Sequence, residues 1–205
     1  MQGPALHFLV SAGYAGLALW FWNTRWRAAP AAEGLSAAER VAVLVPLALH
    51  AWLLSAELFL APELRFGFAQ ALSVMLCLGI AIYWVESLFL RLDGLEPLLL
   101  PLAAAAAPLP ALFPGLASRG LPASPEFRVH IVLAMAAYSV FTIAALHAVL
   151  MAPAERRLHQ KRGRMLNLPP LLTLERLLFR LIATAFVLLT LTLATGALYS
   201  ETLFG

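Results

Sequence analysis

Long apolar runs, separated by short polar stretches, dominate the pattern of this sequence. Each run holds about twenty residues with few charges, which is the length a helix needs to cross a bilayer. We place the runs at residues 4–22, 41–61, 66–90, 95–117, 128–152 and 174–199. The pattern predicts an all-α integral membrane protein that forms one transmembrane domain over residues 1–205. We expect a bundle of six transmembrane helices.

The fourth run differs from the others because prolines interrupt it. These are Pro97, Pro101, Pro108, Pro110 and Pro114. Each proline removes a backbone donor, and a proline inside a helix kinks or breaks it unless neighbours satisfy the freed carbonyls. The run therefore predicts either a Pro-kinked span or a re-entrant segment.

The distribution of basic residues favours the kinked span. The 154–168 loop is rich in Lys and Arg, and such loops collect on the cytoplasmic side of a membrane. With six crossings both termini lie outside, and most of the 14 basic residues lie inside. Without the fourth crossing, Arg25, Arg27 and Arg40 would lie outside, against the same rule.

Composition agrees with a membrane protein and excludes several functions. The chain is 62% hydrophobic and 12% charged, and its net charge of +3 is too small and too unevenly spread to indicate nucleic-acid binding. Its single cysteine, Cys77, cannot form an intrachain disulfide, a CxxC redox pair or a CxxCH haem attachment site. No nucleophile elbow, phosphate loop, HExxH or carboxylate pair appears, so we assign no catalytic residue.

Histidines inside the apolar runs are the strongest functional signal. His7 and His130 lie near the outer ends of their runs, His50 lies near mid-depth, and His147 lies deeper than His130. Ionisable groups inside a membrane are costly and mark functional sites. Neutral imidazole is also a good ligand for haem iron and transition metals. These residues are therefore candidate ligands, with interfacial placement or packing as the alternative for each.

Depth limits which histidines can share one iron. A bis-histidine site needs two imidazoles at one level, which allows His7 with His130, or His50 with His147. His50 and His130 differ by about 15 Å in depth on straight helices, so they would serve two sites or successive stations for one ligand. Glu57 follows His50 on the same helical face, where it could orient an imidazole, pair with Arg128 or face water.

Small and hydroxyl-bearing residues suit contacts between helices. The glycines in the runs favour close helix packing, and the threonines of the last run are expected to bond their own helix or a neighbour. The residues concerned are Gly13, Gly16, Gly79, Gly196, Thr184, Thr190, Thr192 and Thr195.

Two segments resemble a known family. These are VHIVLAMAAYSVFTIAALHAVLMA, which begins at Val129, and LPPLLTLERLLFRLIATAFVLLTLTLATGALY, which begins at Leu168. Together with LALHA in the second run, they resemble the cytochrome c assembly membrane-protein family, in its short YpjD-like and HemX-like branch related to CcsA. His130 and His50 match histidines that recur in this family, whereas His147 stands where relatives carry other residue types.

The resemblance implies a haem-handling component of cytochrome c biogenesis in the bacterial inner membrane. Haem would be the cofactor or cargo, its iron bound by His130 or His50, with His147, His7 and Glu57 as weaker candidates. The expected partners are membrane lipid, other assembly proteins or apocytochrome, and further subunits of a homo- or hetero-oligomer.

Two departures from the family limit this expectation. The larger relatives carry a tryptophan-rich, haem-presenting segment, but this chain has no tryptophan after Trp84. Short-branch relatives also continue through two further spans. We therefore expect a haem-handling factor and not a complete synthetase. The alternative is a non-catalytic scaffold or accessory subunit that docks a partner through the 154–168 loop.

Overall fold

The chain folds into helices joined by short connections. The computed structural model describes residues 4–27, 34–60, 65–89, 94–114, 125–159 and 171–204, except for the side chains of residues 26–27, 153–159, 171, 173 and 200–204. The helices are α1 (Pro4–Phe21), α2 (Ala37–Ser55), α3 (Phe68–Phe89), α4 (Glu96–Ala106), α5 (Leu109–Leu112), α6 (Pro125–His159) and α7 (Leu171–Phe204). Two π-helical turns, Trp22–Arg27 and Ala56–Leu60, extend α1 and α2.

Five of the described helical segments are long and apolar enough to cross a membrane. They span Pro4–Arg25, Ala37–Leu60, Phe68–Phe89, Pro125–Ala152 and Leu174–Tyr199. Each corresponds to one predicted run, which confirms an all-α membrane protein. The sixth segment, Glu96–Leu112, is apolar but shorter.

The shorter segment is divided where Pro108 separates α4 from α5. Because Pro108 has no N–H, the carbonyl of Ala104 has no donor one turn further on. Ser11 of α1 fills that position, with its Oγ 2.7 Å from the Ala104 oxygen. The kink predicted for this run is therefore present, and a neighbouring helix satisfies a carbonyl that it frees.

The α4–α5 segment runs from one end of the bundle to the other. Glu96, at its start, lies beside Arg25, whereas Ala107, at the end of α4, lies beside His7 near the start of α1. We call these the Arg25 end and the His7 end of the bundle. The contacts place the segment alongside α1 in the antiparallel direction. These contacts agree with a sixth membrane crossing, which the distribution of basic residues also favours.

The core forms where α1, α3, α4 and α6 meet. Helix α4 packs on α1 and α3, α3 packs on α6, and α7 packs against α6. Tyr14, Ile80, Leu99 and Ile143 are fully buried there. Large apolar side chains such as Trp20 and Phe186 point outward, as expected for helices that face lipid.

A network of charged side chains closes the Arg25 end. The Arg25 guanidinium lies 2.9 Å from a Glu39 oxygen and 3.7 Å from a Glu96 oxygen. Tyr83 donates to Glu96 over 2.6 Å. Glu39 also completes the capping box that starts α2, since it accepts from the Ser36 amide while Ser36 accepts from its own. These bonds join α1, α2, α3 and α4 into one unit.

The last two helices extend beyond their predicted apolar runs. Helix α6 continues to His159 and α7 begins at Leu171, so the start of the predicted 154–168 loop is helical instead. Residues 160–168 lie outside the described part of the chain. The cytoplasmic placement of this loop stays a prediction.

Candidate functional site

His130 lies near the start of α6, against the last turns of α7. Its Nδ1 is 2.9 Å from Oγ1 of Thr195, and its ring stacks on Phe127 with the centroids 6.4 Å apart. Gly196 makes this approach feasible, because a Cβ there would lie 3.2 Å from Cε1 of His130. The imidazole is half-buried and lies close to α7 at Gly196.

The hydrogen bonds of Thr195 determine which nitrogen of His130 carries the proton. The Thr195 hydroxyl has one hydrogen, and its oxygen lies 2.9 Å from the carbonyl of Leu191 and 3.0 Å from that of Thr192. Since that hydrogen is donated to a carbonyl, the oxygen accepts from Nδ1 of His130. Nε2 then keeps its lone pair and makes no hydrogen bond within the described part of the chain. This is the arrangement of a metal-binding imidazole oriented by its other nitrogen.

His50 lies at the centre of a buried hydrogen-bond network and is fully buried. Its Nε2 is 2.9 Å from Oγ of Ser73 on α3, and its Nδ1 is 3.4 Å from the hydroxyl of Tyr14 on α1. Both nitrogens therefore have protein partners. In this conformation His50 joins three helices and has no lone pair directed at a ligand.

His7 lies between the carbonyl of Ala107 and the carboxylate of Glu57. Its Nδ1 is 3.0 Å from the Ala107 oxygen, and its Nε2 is 3.2 Å from a Glu57 oxygen. Glu57 therefore orients an imidazole, which was one of the expected roles, but the imidazole is that of His7. The neighbouring Arg128 donates instead to the backbone carbonyl of Leu58.

His147 is buried in α6 and differs from the other described histidines. It is 1% exposed, and neither ring nitrogen has a hydrogen-bond partner in the described part of the chain. It lies one turn beyond Ile143, which faces Gly79 of α3. The structure shows no partner that would orient it as a ligand.

Two histidine pairs lie at matching depths in the sequence, His7 with His130 and His50 with His147. The structure forms neither pair. His7 uses both nitrogens on Ala107 and Glu57, and His50 uses both on Tyr14 and Ser73. Among the histidine side chains that the structure describes, only that of His130 combines an oriented ring with a nitrogen that makes no hydrogen bond to described residues. No group of three or more His, Cys, Asp or Glu side chains gathers in the described residues.

The sequence did not single out the partners of these histidines. No pattern in the sequence predicts a role for Tyr14 or Ser73. Thr195 is one of several threonines predicted to bond their own helix or a neighbour. Thr195 does both. The available signal for Tyr14 was its spacing of two helical turns from His7, which places both side chains on one face of α1.

Comparisons with known proteins identify a family to which the chain is similar. The family model described as Cytochrome C assembly protein matches residues 41–205. The chain is 40% identical over 85 residues to the inner membrane protein YpjD of Escherichia coli K12, and the same figures hold for YpjD of the CFT073 and O157:H7 strains. The matched stretch covers 41% of this chain but only 32% of YpjD.

Solved structures give no comparable match. The family match, by contrast, covers most of the chain and includes the second run, with His50, and both helices of the His130 contact. The chain belongs to the cytochrome c assembly protein family.

Proposed function

We propose that this protein is a component of cytochrome c biogenesis in the bacterial inner membrane, where it binds or relays haem through His130. Membership of the family supports the pathway, and YpjD, an inner membrane protein, supports the location. The observation that carries the proposal is the orientation of His130, with Nδ1 bonded to Thr195 and Nε2 left with a lone pair.

The residues around His130 suit the binding of a flat macrocycle at one edge of the bundle. Phe127 offers an aromatic face parallel to the imidazole, with an interplanar angle of 18°. Val129 is exposed, so apolar surface continues beside the ring. Bound haem would supply a redox-active iron, which His130 would hold through Nε2. Thr195 would hold the imidazole in place and fix its tautomer.

The remaining titratable candidates take supporting roles in this proposal. His50 would hold α1, α2 and α3 together through Tyr14 and Ser73. Coordination by its Nε2 would require breaking the bond to Ser73. His7 and Glu57 satisfy each other at the His7 end. Under the predicted topology, this end faces outward, where cytochrome c is assembled.

Absorption spectroscopy of the purified membrane protein tests the proposal. Haem added to the wild type should give a Soret band that shifts on reduction, and His130→Ala should lose it. Thr195→Val should bind haem about tenfold more weakly, because losing the hydrogen bond that orients a ligating imidazole lowers affinity by about ten- to a hundredfold. Thr195→Ser, which keeps the hydroxyl, should restore binding.

His147→Leu is the matched control, since it removes a histidine from the same helix. It should keep the Soret band. A wild type that takes up no haem, or a His130→Ala variant with an unchanged band, would contradict the proposal.

A second candidate is a scaffold or accessory subunit, and the bonding of His7 and His50 favours it. In both side chains each ring nitrogen has a partner on another helical segment. Such contacts are typical of structural residues. In this case the basic 154–168 loop would dock a partner or anionic lipid. Removing its charges would then abolish function, whereas His130→Gln would not.

A further inference from the structure

The contact between His7 and Glu57 joins three parts of the bundle at the His7 end. His7 belongs to α1, Glu57 belongs to the π-helical turn after α2, and Ala107 follows α4. The His7 side chain is 3% exposed, whereas the Glu57 side chain is 37% exposed. One partner is therefore inside the protein and the other reaches its surface.

The geometry of this contact fixes the number of protons it holds. A backbone carbonyl can only accept, so the Ala107 oxygen requires a hydrogen on Nδ1 of His7. A neutral imidazole has only that one hydrogen, and its Nε2 would then direct a lone pair at the Glu57 carboxylate. An attractive contact at 3.2 Å therefore needs one more proton, and His7 holds it because imidazole is a stronger base than carboxylate.

We propose that His7 and Glu57 form a proton-binding site that closes the His7 end of the bundle while it is loaded. The ligand is a single proton, exchanged with the surface through the exposed part of Glu57. With the proton bound, His7 donates to both Ala107 and Glu57 and holds the π-helical turn against α1. Without it, two electron-rich groups face each other and the turn separates from α1.

Other titratable or charged groups surround the pair. From α2, His50 lies close enough to interact electrostatically with His7, and its own nitrogens are bonded to Tyr14 and Ser73. At the same end of the bundle, α6 contributes Glu126, Arg128 and His130, and Arg65 precedes α3. In the described segments of α1, α4 and α5, the groups nearest to His7 are neutral, namely Ser11, Tyr14 and the carbonyl of Ala107.

The same turn connects the proton site to α6. Leu58, next to Glu57, accepts a hydrogen bond from Arg128, and Arg128 lies two residues before His130. Leu58 and Phe59 also line a shallow depression with Arg128, Ile131 and Val132. Loss of the proton would therefore change the surroundings of His130. Only this last step rests on the proposed function.

Two measurements on the full chain in lipid nanodiscs test the site without haem. NMR of ¹⁵N-labelled histidine, assigned with His7→Gln, should show both nitrogens of His7 protonated at low pH and only Nδ1 protonated at high pH. Hydrogen exchange, corrected for the intrinsic pH dependence of amide exchange, should show that residues 56–60 lose protection over the same pH range.

Substitutions of Glu57 distinguish the effect of the bound proton from the effect of the contact between the two side chains. In Glu57→Gln the amide can donate to neutral imidazole or accept from imidazolium, so residues 56–60 should stay protected at both pH values. In Glu57→Ala they should lack protection at both. Ser11→Ala is the matched control, because it removes a bond between the same two helices that involves no titratable group. It should keep the pH dependence of the wild type.

Protection of residues 56–60 that does not change with pH in the wild type, or that changes equally in Glu57→Gln, would overturn the proposal. A His7 that carries a single proton throughout would also overturn it. None of these measurements uses haem. The proton site can therefore be confirmed even if His130 binds no haem, and it can be refuted even if His130 binds haem.

Discussion

At the scale of single residues, two buried histidines lead to opposite predictions. His50 and His147 are 0% and 1% exposed, but only His50 has hydrogen-bond partners among the described residues. Replacing His50 with leucine leaves Tyr14 and Ser73 with unsatisfied groups, at a cost of about 1–3 kcal/mol. His147→Leu removes a desolvated polar group of similar size. We therefore expect His50→Leu to lower the melting temperature and His147→Leu to keep or raise it.

The chain contains its own reporter for this measurement. Its single cysteine, Cys77, is buried, so labelling by a thiol-reactive dye during heating follows unfolding in detergent. Equal destabilisation by the two substitutions would contradict the prediction. It would show that His147 has a stabilising partner in the protein.

Polar residues in apolar runs were predictable, but their partners were not. His7, His50, His130 and Glu57 are recognisable because burying their polar groups is costly. Their partners are backbone carbonyls or common hydroxyl residues on other helices. Which of these faces a given imidazole depends on how each helix is rotated about its axis. A single sequence contains little information about that rotation.

At the scale of helical elements, glycine positions predict where helices approach closely. A Cβ added at Gly13 would lie 3.2 Å from Cβ of Pro46, whereas a Cβ at Gly16 would meet nothing within 4 Å. Leucine at position 13 would therefore force α1 away from α2, and leucine at position 16 would extend into open space. We expect Gly13→Leu to lower the melting temperature and Gly16→Leu to leave it nearly unchanged.

Cys77 labelling measures both variants, and Gly16→Leu serves as the matched control on the same helix. If the two variants melted together, close packing of α1 on α2 would not contribute to stability. The sequence suggested close packing for all four glycines considered, but only Gly13 and Gly196 lie that close to a neighbour. The number of glycines in a run therefore says little about which face is packed.

The helix boundaries predicted from the apolar runs are right where a helix ends with its run. They are wrong where the helix continues beyond the run. Helix α3 agrees with its run to within two residues at each end. Helix α6 continues to His159 through residues that include Glu155, Arg156 and Arg157. Those side chains suit a helix in water as well as they suit a loop, so hydropathy locates the membrane boundary and not the end of the helix.

At the scale of the whole molecule, the remaining question is which side of the membrane each end faces. The start of α2 is tied to the end of α3, because Trp84 donates to the carbonyl of Arg40 over 3.0 Å. The start of α6 is tied to the end of α2 by Arg128 and Leu58. These contacts put Phe89 and Pro125 at opposite ends of the bundle, and α4–α5 must connect them.

Cysteine accessibility measures the resulting topology. In a Cys77→Ala background, Ala32→Cys and Gln160→Cys should react with a membrane-impermeant maleimide from the same side, and Ser118→Cys from the opposite side. The reason is that, with six crossings, the chain lies on one side of the membrane after α1, α3 and α6, and on the other side after α4–α5. Labelling of Ala32→Cys and Gln160→Cys from opposite sides would show that residues 95–117 enter and leave on one side. The basic residues near Arg25 would then lie away from the basic 154–168 loop, and the His7 end would no longer face a single compartment.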